Sequence, residues 1–141
     1  MSQAESEIFV YGTLKRGGAN HGQLAGQTFV AEAATKPGYR LYALDGYPGM
    51  VEAVGGGGRS IPGEIWRLDA ACLARLDAFE GVREGLYRRA EVHLLSPYDE
   101  PGIQTYLYLQ STKGRPELSR WSATSGRAGP DRVNEENASS A

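Results

Sequence analysis

The hydrophobic period of this chain changes at one place. Before Asp69, apolar residues come in short runs or alternate with polar ones. From Asp69 to Gly81, in DAACLARLDAFEG, they return every three or four residues. Period 2 sends successive side chains to opposite faces of a strand, and period 3.6 lays a stripe along one side of a helix. The strand segments are EIFVYG (7–12), TFVAEAAT (28–35), YRLYAL (39–44), MVEAV (50–54), SIPGEIWRL (60–68), YRRAEVHLL (87–95) and IQTYLYLQ (103–110). Pro62 demotes the first half of its segment to an edge or a bulge. Asp69 is placed to cap the helix N-terminus and Gly81 its C-terminus. One helical turn is expected around His21 to Leu24. Gly55 to Gly58 reads as a flexible hairpin tip. Strands with a single good helix point to α+β: a strongly curved, mostly antiparallel sheet or small barrel with the helix against it.

With 141 residues a single domain is expected, over 7–125, with residues 1–6 loose and 126–141 a disordered polar tail. Trp121 is expected to pack the segment 111–125. Fifteen Lys and Arg against 17 Asp and Glu give a net charge of −2, which argues against a nucleic-acid binder. The lone Cys72 excludes a disulfide framework, and two histidines supply too few ligands for a His-based metal site. No apolar stretch is long enough to cross a membrane as a helix, and the N-terminal residues lack the pattern of a signal peptide. The expectation is a cytoplasmic domain that needs no metal or organic cofactor. Glycine is frequent, 19 of 141 residues against a usual ~7%, so tight turns and close backbone approaches must matter.

The helix carries a carboxylate on the wrong face. At 100° per residue, with Cys72 as origin, Leu76, Leu73 and Phe79 define an apolar arc of roughly 120°. Glu80 falls inside that arc, at about 80°, between Leu76 and Leu73. A buried carboxylate is costly unless paired, hydrogen-bonded or neutralised, and the helix C-terminus disfavours negative charge. Both effects push its pKa up, toward the range useful for general acid–base work. Two structural roles stay open here. Glu80 could reach water past Gly81, or it could pair with Arg83, Arg88 or Arg89.

A second constellation, Tyr11-Gly12-Thr13-Leu14-Lys15-Arg16-Gly17-Gly18, follows the first strand directly. Glycine lets backbone approach a ligand, and successive free N–H groups can form an anion nest. The stretch lacks the G-x-x-x-x-G-K-[ST] spacing, so a nucleotide site is rejected and a small carboxylate suits it better. The alternative is a plain loop. Tyr87, opening its strand, reads first as a core residue whose hydroxyl needs a partner. Tyr47-Pro48-Gly49 reads as a turn, His21 and His93 as exposed or packed residues, and Cys72 as a small core hydrophobe.

FVYGTLKRG (9–17), YPGM (47–50), GEIWRL (63–68), LDAFEGV (76–82) and YRRAEV (87–92) together resemble the gamma-glutamylcyclotransferase-like superfamily. Within it they look most like the branch of gamma-glutamylamine cyclotransferases and the butirosin-biosynthesis cyclotransferase. The resemblance spans roughly residues 7–110. It implies a compact mixed β-barrel with flanking helices and a cavity at one end. It implies that Tyr11, Gly12, Thr13 and Leu14 hold a gamma-glutamyl group, largely through backbone, and that Tyr87 helps line the site. It implies Glu80 as the acid/base of an intramolecular cyclisation that releases 5-oxoproline and an amine. The partner is then a small gamma-glutamyl molecule. The Gly55–Gly58 run and the chain beyond 111 depart from the pattern. Two other readings use the same cavity: a non-catalytic module that binds a small ligand, and an amide hydrolase that uses water.

Overall fold

The computed structural model describes residues 5–122, so the polar tail expected over 126–141 lies outside the described residues. The strands are β1 (Glu5–Val10), β2 (Thr28–Ala34), β3 (Tyr39–Ala43), β4 (Pro48–Glu52), β5 (Pro62–Asp69), β6 (Tyr87–Glu91), β7 (Gln104–Tyr108) and β8 (Glu117–Leu118). Helix α1 (Ala70–Phe79) joins β5 to β6, and His21–Leu24 forms the expected single turn, as a 3-10 helix. The strands make one sheet in the order β2-β5-β1-β7-β4-β3-β8, with β6 added on β7. The β1–β7 and β4–β7 pairings are parallel and the others antiparallel. The sheet curls into a half-barrel. Beyond β6 the chain bonds back to the far end of β2: Lys36 N–H donates to the His93 carbonyl (2.8 Å) and Leu95 N–H to the Ala34 carbonyl (2.9 Å). The expected α+β architecture, a mixed and mostly antiparallel barrel-like sheet with one helix, is the observed one.

β1 explains why its sequence does not alternate. Phe9 faces a cluster with Leu41, Met50, Ile65, Leu107 and Trp121 inside the curl. Ile8 and Val10 face a second cluster with Leu68, Cys72, Leu76 and Tyr106, beneath the helix. A strand buried on both sides reads as a continuous apolar run. Trp121 packs as expected, and Cys72 is buried in the core.

Several local expectations are corrected. Glu5 and Ser6 are not loose; they pair with Asp69 and Leu68 and extend the β1–β5 ladder. Pro62 behaves as expected: it and Gly63 pair only with β2, beyond the last β1 partner Glu64, so β5 starts as an edge and lies between β1 and β2 only from Glu64 on. Gly55–Gly58 is not a hairpin tip. β4 pairs with β3 and β7, and β5 with β1 and β2, so the run links strands that are not neighbours. β8 has two residues, too few for any period to reveal it.

The helix begins as the sequence predicts. Asp69 Oδ1 accepts from Cys72 N–H at 2.8 Å, a cap worth ~1 kcal/mol. It ends at Gly81, whose φ of 67° places it in the left-handed region. Val82 N–H reaches the Asp77 carbonyl (3.0 Å) and Gly81 N–H the Ala78 carbonyl (3.1 Å), the pair of bonds of a Schellman ending. Of the predicted apolar arc, Cys72 and Leu76 are fully buried and Leu73 partly so, but Phe79 is 43% exposed. The stripe loses its core contact in the last turn, because the helix end passes over an opening in the sheet.

Candidate active site

The opening lies where β7 is shared. One edge of β7 pairs with β1 at Ile8–Gln104 and, further along, with β4 at Met50–Leu107. The two strands therefore part from the same edge, and the chain leaving β1 meets the chain entering β4 across a fork. A cavity of about 200 Å³ opens there. Tyr11, at the end of β1, ties the fork together: its hydroxyl donates to the Tyr106 carbonyl on β7 (2.6 Å) and accepts from Met50 N–H on β4 (3.2 Å). Tyr87, the first residue of β6, donates to the Pro48 carbonyl at 2.8 Å. Gly12 rests against Pro48 so closely that a Cβ would lie 2.5 Å from the proline Cγ. No larger residue lets the loop pass at that point.

From Gly12 the loop turns its carbonyls into its own bonds. The Gly12 carbonyl accepts from Lys15 N–H (3.1 Å), that of Thr13 from Asn20 N–H (2.9 Å), and that of Leu14 from His21 Nδ1 (2.9 Å). The Asn20 amide also donates to Thr13 Oγ1 at 2.9 Å. Among the described residues no acceptor takes the N–H of Gly12, Thr13 or Leu14. Lys15 and Arg16 are tied elsewhere. The Lys15 ammonium donates to the Trp121 carbonyl, and Arg16 binds Glu64 through both backbone N–H and Nε (3.1 Å each).

Glu80 reaches the same cavity from the helix end, and it is the one lining residue with a formal charge. Burial pushes its carboxyl up to about 7. Among the described residues its side chain makes no hydrogen bond or ion pair. The ion-pair role left open by the sequence is not realised. Arg89 binds Asp77, Arg88 lies 3.8 Å from Glu52, and neither reaches Glu80. Burial is also the leading reason that the hydroxyls of Tyr11, Tyr87 and Tyr106 are raised, with the nearby Glu80 carboxyl adding to the effect on each. These phenols stay protonated and act as fixed donors. A carboxyl near 7 can both take and give a proton at neutral pH, and it shares the cavity with three residues whose N–H groups no described acceptor takes and which suit an anion.

Tyr11, Gly12, Thr13, Leu14, Glu80 and Tyr87 all line this one cavity, brought from three separated parts of the chain. Sequence reasoning missed Asn20, Tyr47, Leu86 and Tyr106. Tyr47 looked like a turn residue and Tyr106 like one member of an alternating strand. Nothing in their local pattern distinguishes a wall residue from a core one. His21, expected exposed or packed, is half-buried edge-on to Trp66; His93 is exposed and does not line the cavity. Among the described residues no group of three or more His, Cys, Asp or Glu could hold a metal ion, and no helix is long and apolar enough to cross a membrane.

Fold and site together define a class: a curled sheet, forked at one shared strand, with a single carboxyl among the described residues lining the fork. The sequence matches the family described as "Gamma-glutamyl cyclotransferase, AIG2-like" over residues 8–123, and the chain belongs to that family. A Vibrio cholerae protein carrying a provisional gamma-glutamylcyclotransferase name is 39% identical over 99 residues, covering 70% of this chain and 80% of its own. The gamma-glutamylaminecyclotransferase A of Danio rerio is 36% identical over 94 residues, covering 62% of this chain and 57% of its own. The crystal structure of a mouse AIG2-like protein superposes with a TM-score of 0.67 at 27% identity, covering 85% of this chain and 90% of that one. A Kluyveromyces lactis allophanate hydrolase shares the fold with a TM-score of 0.69 at 21% identity, over 82% of this chain and 20% of its own. That likeness concerns architecture alone, since one fold hosts more than one chemistry.

Proposed function

We propose that this enzyme cyclises a small gamma-glutamyl amide, releasing 5-oxoproline and a free amine, with Glu80 as general base and then general acid. The reading rests on one observation: a carboxyl raised to about 7 and without a protein partner shares a cavity with the free N–H groups of Gly12, Thr13 and Leu14. Those N–H groups hold the substrate's α-carboxylate or the oxygen that gains charge as the carbonyl is attacked. Tyr11 and Tyr87 are wall residues whose hydroxyls fix the backbone around the loop.

The substrate brings its own nucleophile. Its α-amine has an ordinary pKa of ~8, so it enters mostly protonated. Glu80 takes one proton from the ammonium. The nitrogen lone pair then attacks the γ-carbonyl carbon, and the carbonyl π pair moves onto oxygen. As that pair returns, the bond to the leaving nitrogen breaks and Glu80 delivers its proton there. The second proton of the new ring nitrogen passes through the same carboxylate to the released amine. Holding amine and carbonyl together can supply effective molarities of ~10⁵ M or more, and positioned proton transfer another ~10²–10⁴-fold.

The test is an NMR time course on gamma-glutamyl amino acids, gamma-glutamyl-ε-lysine and gamma-glutamyl polyamines. The wild-type protein produces 5-oxoproline from at least one of them. Glu80→Gln loses ~10²–10⁴-fold or more in rate while its ligand-induced shifts persist. Free glutamate in place of 5-oxoproline means hydrolysis by water, and shifts without product mean a binding module; either result overturns the proposal.

A further inference from the structure

The turn that carries Glu80 has a weak apolar anchor: Leu76 is fully buried, but Phe79, one residue before Glu80, is 43% exposed, and Val82 just beyond it is only partly buried against the core. A polar contact adds a second hold on that turn. Asp77 lies three residues before Glu80 and is gripped from two strands. Arg89 on β6 donates to it through Nε (2.9 Å to Oδ1) and Nη2 (3.0 Å to Oδ2), and the Tyr106 hydroxyl on β7 donates to Oδ1 at 2.7 Å. Arg89 and Tyr106 are direct cross-strand partners, and Arg89 Nη1 is braced by Gln104 Oε1 at 2.7 Å. The Tyr106 carbonyl accepts the Tyr11 hydroxyl, and the Asp77 carbonyl accepts Val82 N–H to close the helix.

We infer that Asp77, Arg89 and the Tyr106 hydroxyl are positioning residues: one clamp that fixes the Glu80 turn relative to the Gly12–Leu14 loop. Tyr106 joins the two halves of the site, side chain to the helix end and backbone carbonyl to the residue that starts the loop. The fork geometry of a guanidinium on a carboxylate restricts rotation as well as distance, which a lysine cannot reproduce. The pair is bidentate and both side chains are under a third exposed, so it can add stability as well as placement, and the clamp is distinguished by a local effect at the Glu80 turn. Misplacing a catalytic group by about 1 Å can cost up to ~10²-fold in rate.

The inference about rate rests on the cyclisation reading, but the geometry can be tested without it. In Arg89→Lys and Asp77→Asn, backbone amide exchange at Glu80, Gly81 and Val82 should quicken at least about tenfold, with Leu73 to Leu76 unchanged. Unchanged exchange in the last turn, or a uniform rise along the helix, overturns the clamp whatever the enzyme's substrate. On a substrate that the wild type cyclises, Arg89→Lys and Tyr106→Phe should lose about 10- to 100-fold in kcat with KM nearly unchanged. The Asp77→Asn/Arg89→Lys double variant should be no slower than the worse single one, as expected of groups acting as a unit. Wild-type kcat in a folded Arg89→Lys would overturn the positioning role while leaving Glu80 chemistry intact. A wild-type protein that cyclises nothing counts against the cyclisation reading and, with it, against the rate effect assigned here.

Discussion

Glu64 on β5 and Glu80 at the end of α1 are both glutamates turned away from water, and their acidities move in opposite directions. Desolvation is the largest influence on each and raises both. At Glu64 it is outweighed. Oε1 accepts from Trp66 Nε1 (3.0 Å) and Arg16 N–H (3.1 Å), and Oε2 from Arg16 Nε (3.1 Å), so the carboxyl ends below its usual range. Glu80 has none of these bonds and rises to about 7. Burial sets the direction of a shift only when nothing donates to the charged form. The saturated carboxylate anchors the loop through Arg16, and the other, without a bond among the described residues, lines the cavity where the proposed substrate would sit.

The widest separation between the two should appear in activity. If Glu80 carries the proton as proposed, Glu80→Gln costs ~10²–10⁴-fold or more, whereas Glu64→Gln acts through the loop and mainly raises KM. Comparable losses of kcat in both variants, measured on one responsive substrate, would break the contrast.

Stability should separate them next, and with opposite pH dependence. Glu64→Gln should lose roughly 1–3 kcal/mol in denaturant unfolding at pH 7, since charged hydrogen bonds to a largely buried carboxylate go with it. Its deficit should shrink as pH falls below the ordinary carboxylate range, because a lowered folded pKa contributes stability that is present above that range and lost as acid protonates the folded state. Glu80 has the reverse sign. Its folded pKa of about 7 lies above the unfolded value, so between pH ~4.3 and 7 the unfolded chain has already lost a proton that the folded chain retains. Wild-type stability should therefore fall relative to Glu80→Gln through that window and level off above pH 7. Parallel pH profiles for the wild type and Glu80→Gln would show that the carboxyl titrates normally.

A smaller effect tests the loop between the two. Gly12→Ala presses a methyl onto the Pro48 ring and should cost about 1–3 kcal/mol, with a higher KM. Pro48→Ala in the same chain should recover part of both. His93→Ala, at an exposed position outside the cavity wall, should change stability by less than ~0.5 kcal/mol and leave turnover unaltered.

Legibility in the sequence followed the range of the interactions. The helix was readable at both ends because its cap and its Schellman ending use residues within five positions of each other: Asp69 to Cys72, Asp77 to Val82. Most strand segments were readable for the same reason. Glu80 was visible as an anomaly, since a charge on an apolar arc violates a local rule. Phe79 was misread because its neighbour in the fold is an opening and not a core, which no helical wheel records. Tyr106 and the Asp77–Arg89 pair were missed because each owes its place to a partner on another element, and Asn20 because its bonds to Thr13 close an irregular loop that no period marks.

The sequence by itself determined the period of each element, the caps of the helix, the glycine that lets the loop follow β1, and a carboxylate where a leucine would be expected. These are consequences of backbone geometry and nearest neighbours. Tertiary structure alone decided that β1 and β4 part from the same edge of β7, that Arg16 goes to Glu64 and Arg89 to Asp77, and that Glu80 lines the cavity with no partner among the described residues. Which cation meets which carboxylate depends on the closure of the curled sheet, and that closure is set by long-range strand pairing whose register no local stretch of residues encodes.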